Sequence, residues 1–579
     1  MRKLITILII GFFLRVYGVN WDLGFHLHPD ERMLIMVADK IHFFNQLNPD
    51  FFNYGTLPIY ILKGSAQLID FIFKTTYATY DGMLLFGRYI SIICDLLIII
   101  LIYKISQLLF KKQSISQFAC FFYAIAFFPI QNSHFFVVDV FLNLFSTLLI
   151  FLLLKFINLT SLVRPHQSGN VYRYVILIGI TYAAMLTTKF TAVVFLPLIL
   201  LIFILFSIFQ SPIRGTCLPA GRFAFLIRSI RIIFPFSSTL FVFSFLFMPY
   251  AFLNHERFIS DVLAQMKMNS DPYIFPYTLQ YVATTPYLYY LKNIFLWGLG
   301  PIISIMSIVG FCFLMINLKL KTQNSNPQLK TKIFFFQITN YQLLITIFLL
   351  FYLFYFIVIG RSAVKFMRYM LLLYPMFCIM AAYGINYIKV SFKSKLLNYI
   401  ITLLLIFSCI YCLMFVNIYS QQHTRIAATE WINKNIPAGS YVATEHWDDG
   451  MPLTGGEKFN RIELPLYERP DDKRKWDELI TPRLKQAEYI IIASNRLYVP
   501  LQKLADCNKY TSCYPITAKY YKDLFAGQLG FKQIAEFAAY PSLPLITQLL
   551  NYPITINDQS ADESFTVYDH PKIIIFKKI

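Results

Sequence analysis

His26-Leu27-His28-Pro29-Asp30-Glu31-Arg32 is the stretch on which the reading of the chain turns. It lies just past an apolar run, Leu4 to Tyr17, that reads as a membrane span. Two adjacent carboxylates and two histidines at the mouth of a membrane helix are costly to desolvate, so they are kept there for pairing or for chemistry. A carboxylate at that level can act as a general base, taking a proton from a hydroxyl presented at the membrane face. It can equally cap a helix: Asp30 is placed to cap one beginning near Glu31. With His26 and His28 at alternate positions, Glu31 also gives a set that can hold a divalent metal ion, the alternative being histidines solvated at the interface.

Around this stretch the composition is that of a polytopic membrane protein. The 579 residues are 57% hydrophobic and 14% charged, with a mean hydropathy of +0.55. A formal charge of +20 does not point to nucleic acid, because the cations sit between apolar runs, where they orient a membrane protein. Met1-Arg2-Lys3 followed by an apolar run imitates a signal peptide, but Arg15, Trp21 and Asp22 in place of a small-residue cleavage site mark an uncleaved anchor. Of the nine cysteines, Cys507 and Cys513 share a polar region, which allows one local disulfide if that region is outside the cytoplasm.

The apolar runs predict about eleven spans, each near the length a bilayer requires: 4–19, 83–103, 117–132, 136–157, 172–187, 190–209, 233–252, 293–316, 341–359, 369–388 and 397–418. The linkers alternate in charge. One set carries Lys104, Lys111, Lys112, Arg164, Arg173, Arg214, Lys319, Lys330, Lys389 and Lys393 without a carboxylate; the other carries Asp22, Asp30, Glu31, Asp39, Asp70, Asp139, Glu256, Asp261 and Asp271. The positive-inside rule then puts the N-terminus in the cytoplasm and everything after residue 418 outside, in a multi-pass protein of the plasma membrane. The polar segment Lys321 to Lys332 reads as a cytoplasmic loop.

Residues 20–82 form a long external loop rich in aromatics, expected to lie on the bilayer as amphipathic helices and divided by Asn53-Tyr54-Gly55-Thr56-Leu57-Pro58. After Tyr419 the charge density rises. Short apolar runs at 441–444, 489–493, 565–568 and 573–576 alternate with helix-like stretches such as 425–435, predicting an α/β domain over 420–579 behind a membrane part over 1–419.

Further candidates lie on the acidic side. Asp139 sits where the fourth span re-enters the membrane, which is expensive unless it faces a polar cavity or is paired. Lys189, in a tight turn between two spans, and Arg368, before the Tyr369 span, run against the local charge bias and can grip a lipid phosphate or snorkel to headgroups. Arg15 reads the same two ways, while Asp95 with Arg88 reads as a helix-packing pair inside the second span. No phosphate-cradling glycine loop, Ser/His/Asp order or Cys-x-x-Cys is present, so no nucleotide site is expected.

In order and sidedness these motifs resemble the GT-C membrane glycosyltransferases, in the branch of the dolichyl-phosphate-mannose protein mannosyltransferases and aminoarabinose transferases (glycosyltransferase family 39-like). The resemblance is carried by Asp30-Glu31, Val138-Asp139, Leu186-Thr187-Thr188-Lys189-Phe190-Thr191-Ala192, Phe366-Met367-Arg368-Tyr369, Trp297-Gly298-Leu299-Gly300-Pro301 and the tail Ser564-Phe565-Thr566-Val567-Tyr568-Asp569-His570-Pro571. It implies a polytopic α-helical GT-C fold with a C-terminal extracytoplasmic domain. It also implies transfer of a sugar from a polyprenyl-phosphate donor to a protein, lipid or glycan hydroxyl, with inversion. Asp30 would be the base, Glu31 and Asp139 would orient the acceptor or a cation, and Lys189, Arg368 and Arg15 would hold the phosphate. The sequence departs from the pattern in loop one, where Thr56 stands at a position that carries a lysine in related transferases.

Two other classes are open on sequence. A transporter or flippase of lipid-linked sugars predicts paired polar residues deep in several spans and related halves, whereas Asp95 is the one clear mid-span acid. A scaffold whose external domain binds partners is the other.

Overall fold

The computed structural model describes residues 2–162, 168–209, 218–323, 340–544 and 552–579. Arg164, Arg214, Lys330 and most of the Lys321 to Lys332 loop lie outside the described residues. Among the described residues eight helices are long and apolar enough to cross a membrane: Tyr80–Phe110, Val138–Leu159, Phe190–Ser207, Ser229–Phe247, Pro301–Leu318, Tyr341–Ile359, Met367–Phe392 and Lys395–Asn435. A ninth is bent by 57° between Gln113–Ile125 and Phe127–Ser133. The break falls at Ala126, just ahead of Pro129, whose missing N–H cannot continue the ladder. The other two expected spans are shorter helices, α1 (Arg2–Val16, 15 residues) and Val171–Leu186. The count expected from apolar runs therefore exceeds the count of full-length helices.

The loop after α1 folds into two helices, α2 (Pro29–Asp39) and α3 (Leu57–Phe73). The cap of α2 is not Asp30. His28 fills that place, its Nδ1 accepting from the Glu31 amide at 3.3 Å, and Pro29 takes the first helical position, where no N–H is needed. Phe71, Ile72 and Phe73 at the end of α3 are exposed, as a helix lying on a bilayer requires. Between the helices the loop is stitched to the Thr187-Thr188 turn by Gly55 N–H to Thr188 O (3.1 Å) and Leu57 N–H to Thr187 O (3.0 Å). A Cβ at Gly55 would stand 1.9 Å from the Thr187 oxygen, so only glycine fits.

The C-terminal α/β domain is built on a five-stranded sheet in the order β2-β1-β3-β5-β4: β1 Tyr441–Glu445, β2 Asn460–Leu464, β3 Tyr489–Ile492, β4 Phe531–Phe537 and β5 Ile573–Lys578. β1 runs parallel to β2 and β3, and β5 antiparallel to β3 and β4. Cys507 and Cys513 are joined as a disulfide. The apolar run Phe565 to Tyr568 does not form the expected strand. Asp562 caps a helical turn, Glu563–Thr566, and Phe565, Val567 and Tyr568 join the apolar core of the membrane helices. In return, Leu279 and Val282 from the membrane part enter the core beneath the sheet. The two parts interlock across the 419/420 division, and this places the tail beside α2.

Candidate functional site

Four elements bring four charged side chains together. The first turn of α2 supplies Asp30, the helix Val138–Leu162 begins with Asp139 in its first turn, the turn before Phe190 supplies Lys189, and the 3-10 turn Met367–Leu373 supplies Arg368. Arg368 Nη1 donates a short hydrogen bond to Asp30 Oδ2, and its Nε stands 3.9 Å from Asp139 Oδ2. Lys189 Nζ donates to Asp139 Oδ1 at 2.7 Å and lies 4.5 Å from the centre of the Tyr369 ring. The Tyr54 hydroxyl donates to Asp30 Oδ1 at 3.2 Å. Asp30 is the most open of the four, with a quarter of its side chain exposed (25%), against 3% for Asp139. The buried Arg368 Nε makes no hydrogen bond among the described residues, so this cation has a donor to spare.

The electrostatics keep Asp30 ionised. Burial pushes its carboxyl up, but the Arg368 charge and the hydrogen bonds from Arg368 and Tyr54 outweigh it and hold the group below the usual carboxylate range.

Glu31 is not part of this cluster. Successive helical residues point about 100° apart, and Glu31 turns into the bundle, where it is fully buried and bound to Arg88 (2.7 and 3.0 Å) and to the Phe136 amide (2.8 Å). Arg88 is completed by both oxygens of Asp22 at 2.9 Å and lies over the Trp21 ring. Glu31 is therefore neither free to orient an acceptor nor available to a metal. The expected Arg88–Asp95 pair does not form either. Asp95 binds Arg15 at 2.6 Å and the Tyr123 hydroxyl at 2.6 Å. Arg15, fully buried, spends its other donors on the carbonyls of Gly11, Ala124 and Tyr123. Buried among these partners, Arg15 does not join the Asp30 cluster.

The metal set does not assemble. His26 stacks on Tyr80 and places Nε2 3.2 Å from Asp81, while His28 Nδ1 is occupied as the cap. Among the described residues no three His, Cys, Asp or Glu side chains are grouped to hold an ion. His26, His28 and Glu31, turned to these separate partners, do not fit a metal ion.

Several contributors carry no local sequence signal. Tyr54 belongs to the glycine-proline turn of loop one. Thr56 donates to the Phe247 carbonyl at 3.2 Å and adds no charge, and the cations of the cluster are Lys189 and Arg368. The tail supplies Ser564 and Tyr568, which line a narrow cavity with His28, Gln131, Asn132 and Arg368. It is fastened by a buried clamp. His570 lies between Asp569 (2.5 Å) and Asp558 (2.9 Å), and Asp569 also accepts from Tyr419 (2.7 Å) and Gln131 (3.0 Å). Burial alone would depress His570, but the two carboxylates raise it to about 10, so the ring is an imidazolium at neutral pH. The second link is Arg425, which binds Asp448 and Asp449, with Arg32 of α2 3.9 Å from Asp449.

The comparisons agree with this architecture. Residues 68–234 match the family model described as dolichyl-phosphate-mannose-protein mannosyltransferase. No curated protein sequence matches the chain. Among solved structures, the apo form of the Archaeoglobus fulgidus oligosaccharyltransferase is similar at a TM-score of 0.51 and 12% identity, over 100% of this chain and 88% of that one. The archaeal oligosaccharyltransferase AglB of the same organism, in complex with an inhibitory peptide and a dolichol-phosphate, has a TM-score of 0.50 with the same identity and coverage. ArnT from Cupriavidus metallidurans bound to undecaprenyl phosphate has a TM-score of 0.40 at 12% identity, over 86% of this chain and 94% of that one. With membrane-length helices packed in one bundle and a C-terminal α/β domain, the chain is a polytopic membrane protein with the fold of the archaeal oligosaccharyltransferase, and its residues 68–234 are similar to the protein mannosyltransferase family model.

Proposed function

We propose that the protein transfers a sugar from a polyprenyl-phosphate donor to an acceptor hydroxyl at the extracytoplasmic face of the membrane, with Asp30 as general base. The observation that carries this reading is the meeting of Asp30, Arg368, Asp139 and Lys189 in one cluster, fed from four separate elements. In the proposed step the acceptor O–H gives its proton to Asp30 as the oxygen attacks the anomeric carbon. The bond from that carbon to the phosphate oxygen breaks with inversion, and its electron pair leaves on the polyprenyl phosphate. Phosphate is a good leaving group, so a positioned base and fixed positive charge suffice.

Arg368 ties the two halves of the step together. It neutralises Asp30; a phosphate that competes for the guanidinium would release the carboxylate to act as base. Lys189 supplies the second cation, aimed by Asp139. The transporter reading gains nothing from Asp95, the one clear mid-span acid, which is sealed by Arg15 and Tyr123.

The test is purified protein incubated with radiolabelled polyprenyl-phosphate sugars and membrane extract as acceptor. Label is expected to move to product with wild type and to stay on the lipid with Asp30→Asn. Transfer by Asp30→Asn near the wild-type rate would overturn the mechanism.

A further inference from the structure

His28 takes no part in the step described above, yet its ring is held on every side but one. Tyr568 lies against it at 4.0 Å between centroids and Phe135 at 4.5 Å, and Nδ1 accepts from the Glu31 amide. Accepting at Nδ1 requires a lone pair there, so in the neutral ring the proton sits on Nε2. Nε2 makes no hydrogen bond among the described residues. The ring borders the cavity of about 10 Å³ that also meets Gln131, Asn132, Arg368, Ser564 and Tyr568. That is room for about one water, hence for one oxygen atom of a ligand.

The charges acting on the ring are Asp30, Arg368, Arg88 and Asp569. Burial is the largest influence and drives the imidazole down to about 3, so that it stays neutral across physiological pH. A neutral ring with a fixed tautomer is a permanent donor: it offers an N–H and adds no charge beside Arg368.

We infer that His28 is a further ligand of the donor phosphate, its Nε2–H donating to a phosphate oxygen that Arg368 also holds. The inference rests on the transferase reading above and gives the tail of the C-terminal domain a role in it. Tyr568, clamped in place through Asp569 and His570, is the positioning residue that keeps the ring edge-on to the cavity.

The experiment measures binding of undecaprenyl phosphate and of undecaprenol to the full-length protein in nanodiscs. His28→Asn keeps an acceptor where Nδ1 stands, and asparagine is a strong helix cap, so the fold is retained. It removes the distal N–H. The expected result is a loss of about tenfold or more in affinity for undecaprenyl phosphate, as for a hydrogen bond to a charged group, with undecaprenol binding and Tm unchanged. His28→Gln, which places an amide N–H near the Nε2 position, should recover part of that loss while lowering Tm through the missing cap. The ratio of wild-type to His28→Asn affinity should stay constant from pH 5 to 8. Equal affinity of wild type and His28→Asn for undecaprenyl phosphate would overturn the inference, and a ratio that grows toward acid pH would overturn the neutral donor. If wild type binds the two lipids alike, the transferase reading itself fails, and this inference with it.

Discussion

Asp30 and Glu31 are neighbours in sequence and serve two different clusters. Glu31, Arg88 and Asp22 form a sealed group with no exposure at any of the three side chains. Asp30, Arg368, Asp139 and Lys189 form a group of similar composition that opens at one end, where Asp30 is a quarter exposed. A sealed ion cluster has every donor and acceptor committed, so it can only hold helices in register. An open one keeps a donor unspent and a carboxylate within reach of a substrate. What distinguishes the two is the completeness of pairing, not the residue types.

The contrast between the clusters is widest in turnover. Asp30→Asn should lower transfer by about 10²–10⁴-fold, the range of a general base, with little change in Tm; Glu31→Gln should do the reverse, weakening the fold first. Equal loss of transfer from both, at unchanged Tm, would mean that the sealed cluster is not merely structural. The next effect is on folding. Arg88→Ala leaves two buried carboxylates facing each other and should destabilise the protein by about 3–5 kcal/mol, read as a fall in Tm in detergent.

Within the open cluster, Arg368→Lys keeps the charge but loses the planar guanidinium and its spare Nε–H. It is expected to raise KM for the lipid donor by about tenfold while kcat changes less.

The smallest effect comes from another buried carboxylate, one with no ion-pair partner among the described residues. Glu445 in β1 accepts from the Tyr521 hydroxyl at 2.5 Å, and burial pushes it up to about 8. Its folded value lies above its unfolded one, so between about pH 4.5 and 8 the folded state holds a proton that the unfolded chain has lost. Stability from this group is full below that window and falls as pH rises through it. Glu445→Gln should therefore raise the Tm of the C-terminal domain at pH 8.5 relative to wild type and bring little change at pH 5.

Much of this organisation is legible in the order of the residues alone. The signs of the charges between apolar runs are enough to pick out Asp30, Asp139, Lys189 and Arg368, which the fold brings into one cluster. Side-chain partners are harder to read. Adjacency in sequence suggests that Asp30 and Glu31 act together, but a helix turns them apart. Spacing within one span suggests Arg88 with Asp95, but each finds its partner on another segment, Arg88 in loop one and Asp95 on α1. The apolar residues of the tail suggest a strand. Its burial depends instead on contacts such as Gln131 with Asp569, 438 positions apart, which no local pattern encodes.

The most direct test of the central claim is a structure of the protein with undecaprenyl phosphate bound. The account predicts the phosphate between Arg368 and Lys189, with the Arg368–Asp30 hydrogen bond broken and the Asp30 carboxylate open to an acceptor. A phosphate seated elsewhere, with Arg368 still paired to Asp30, would contradict it.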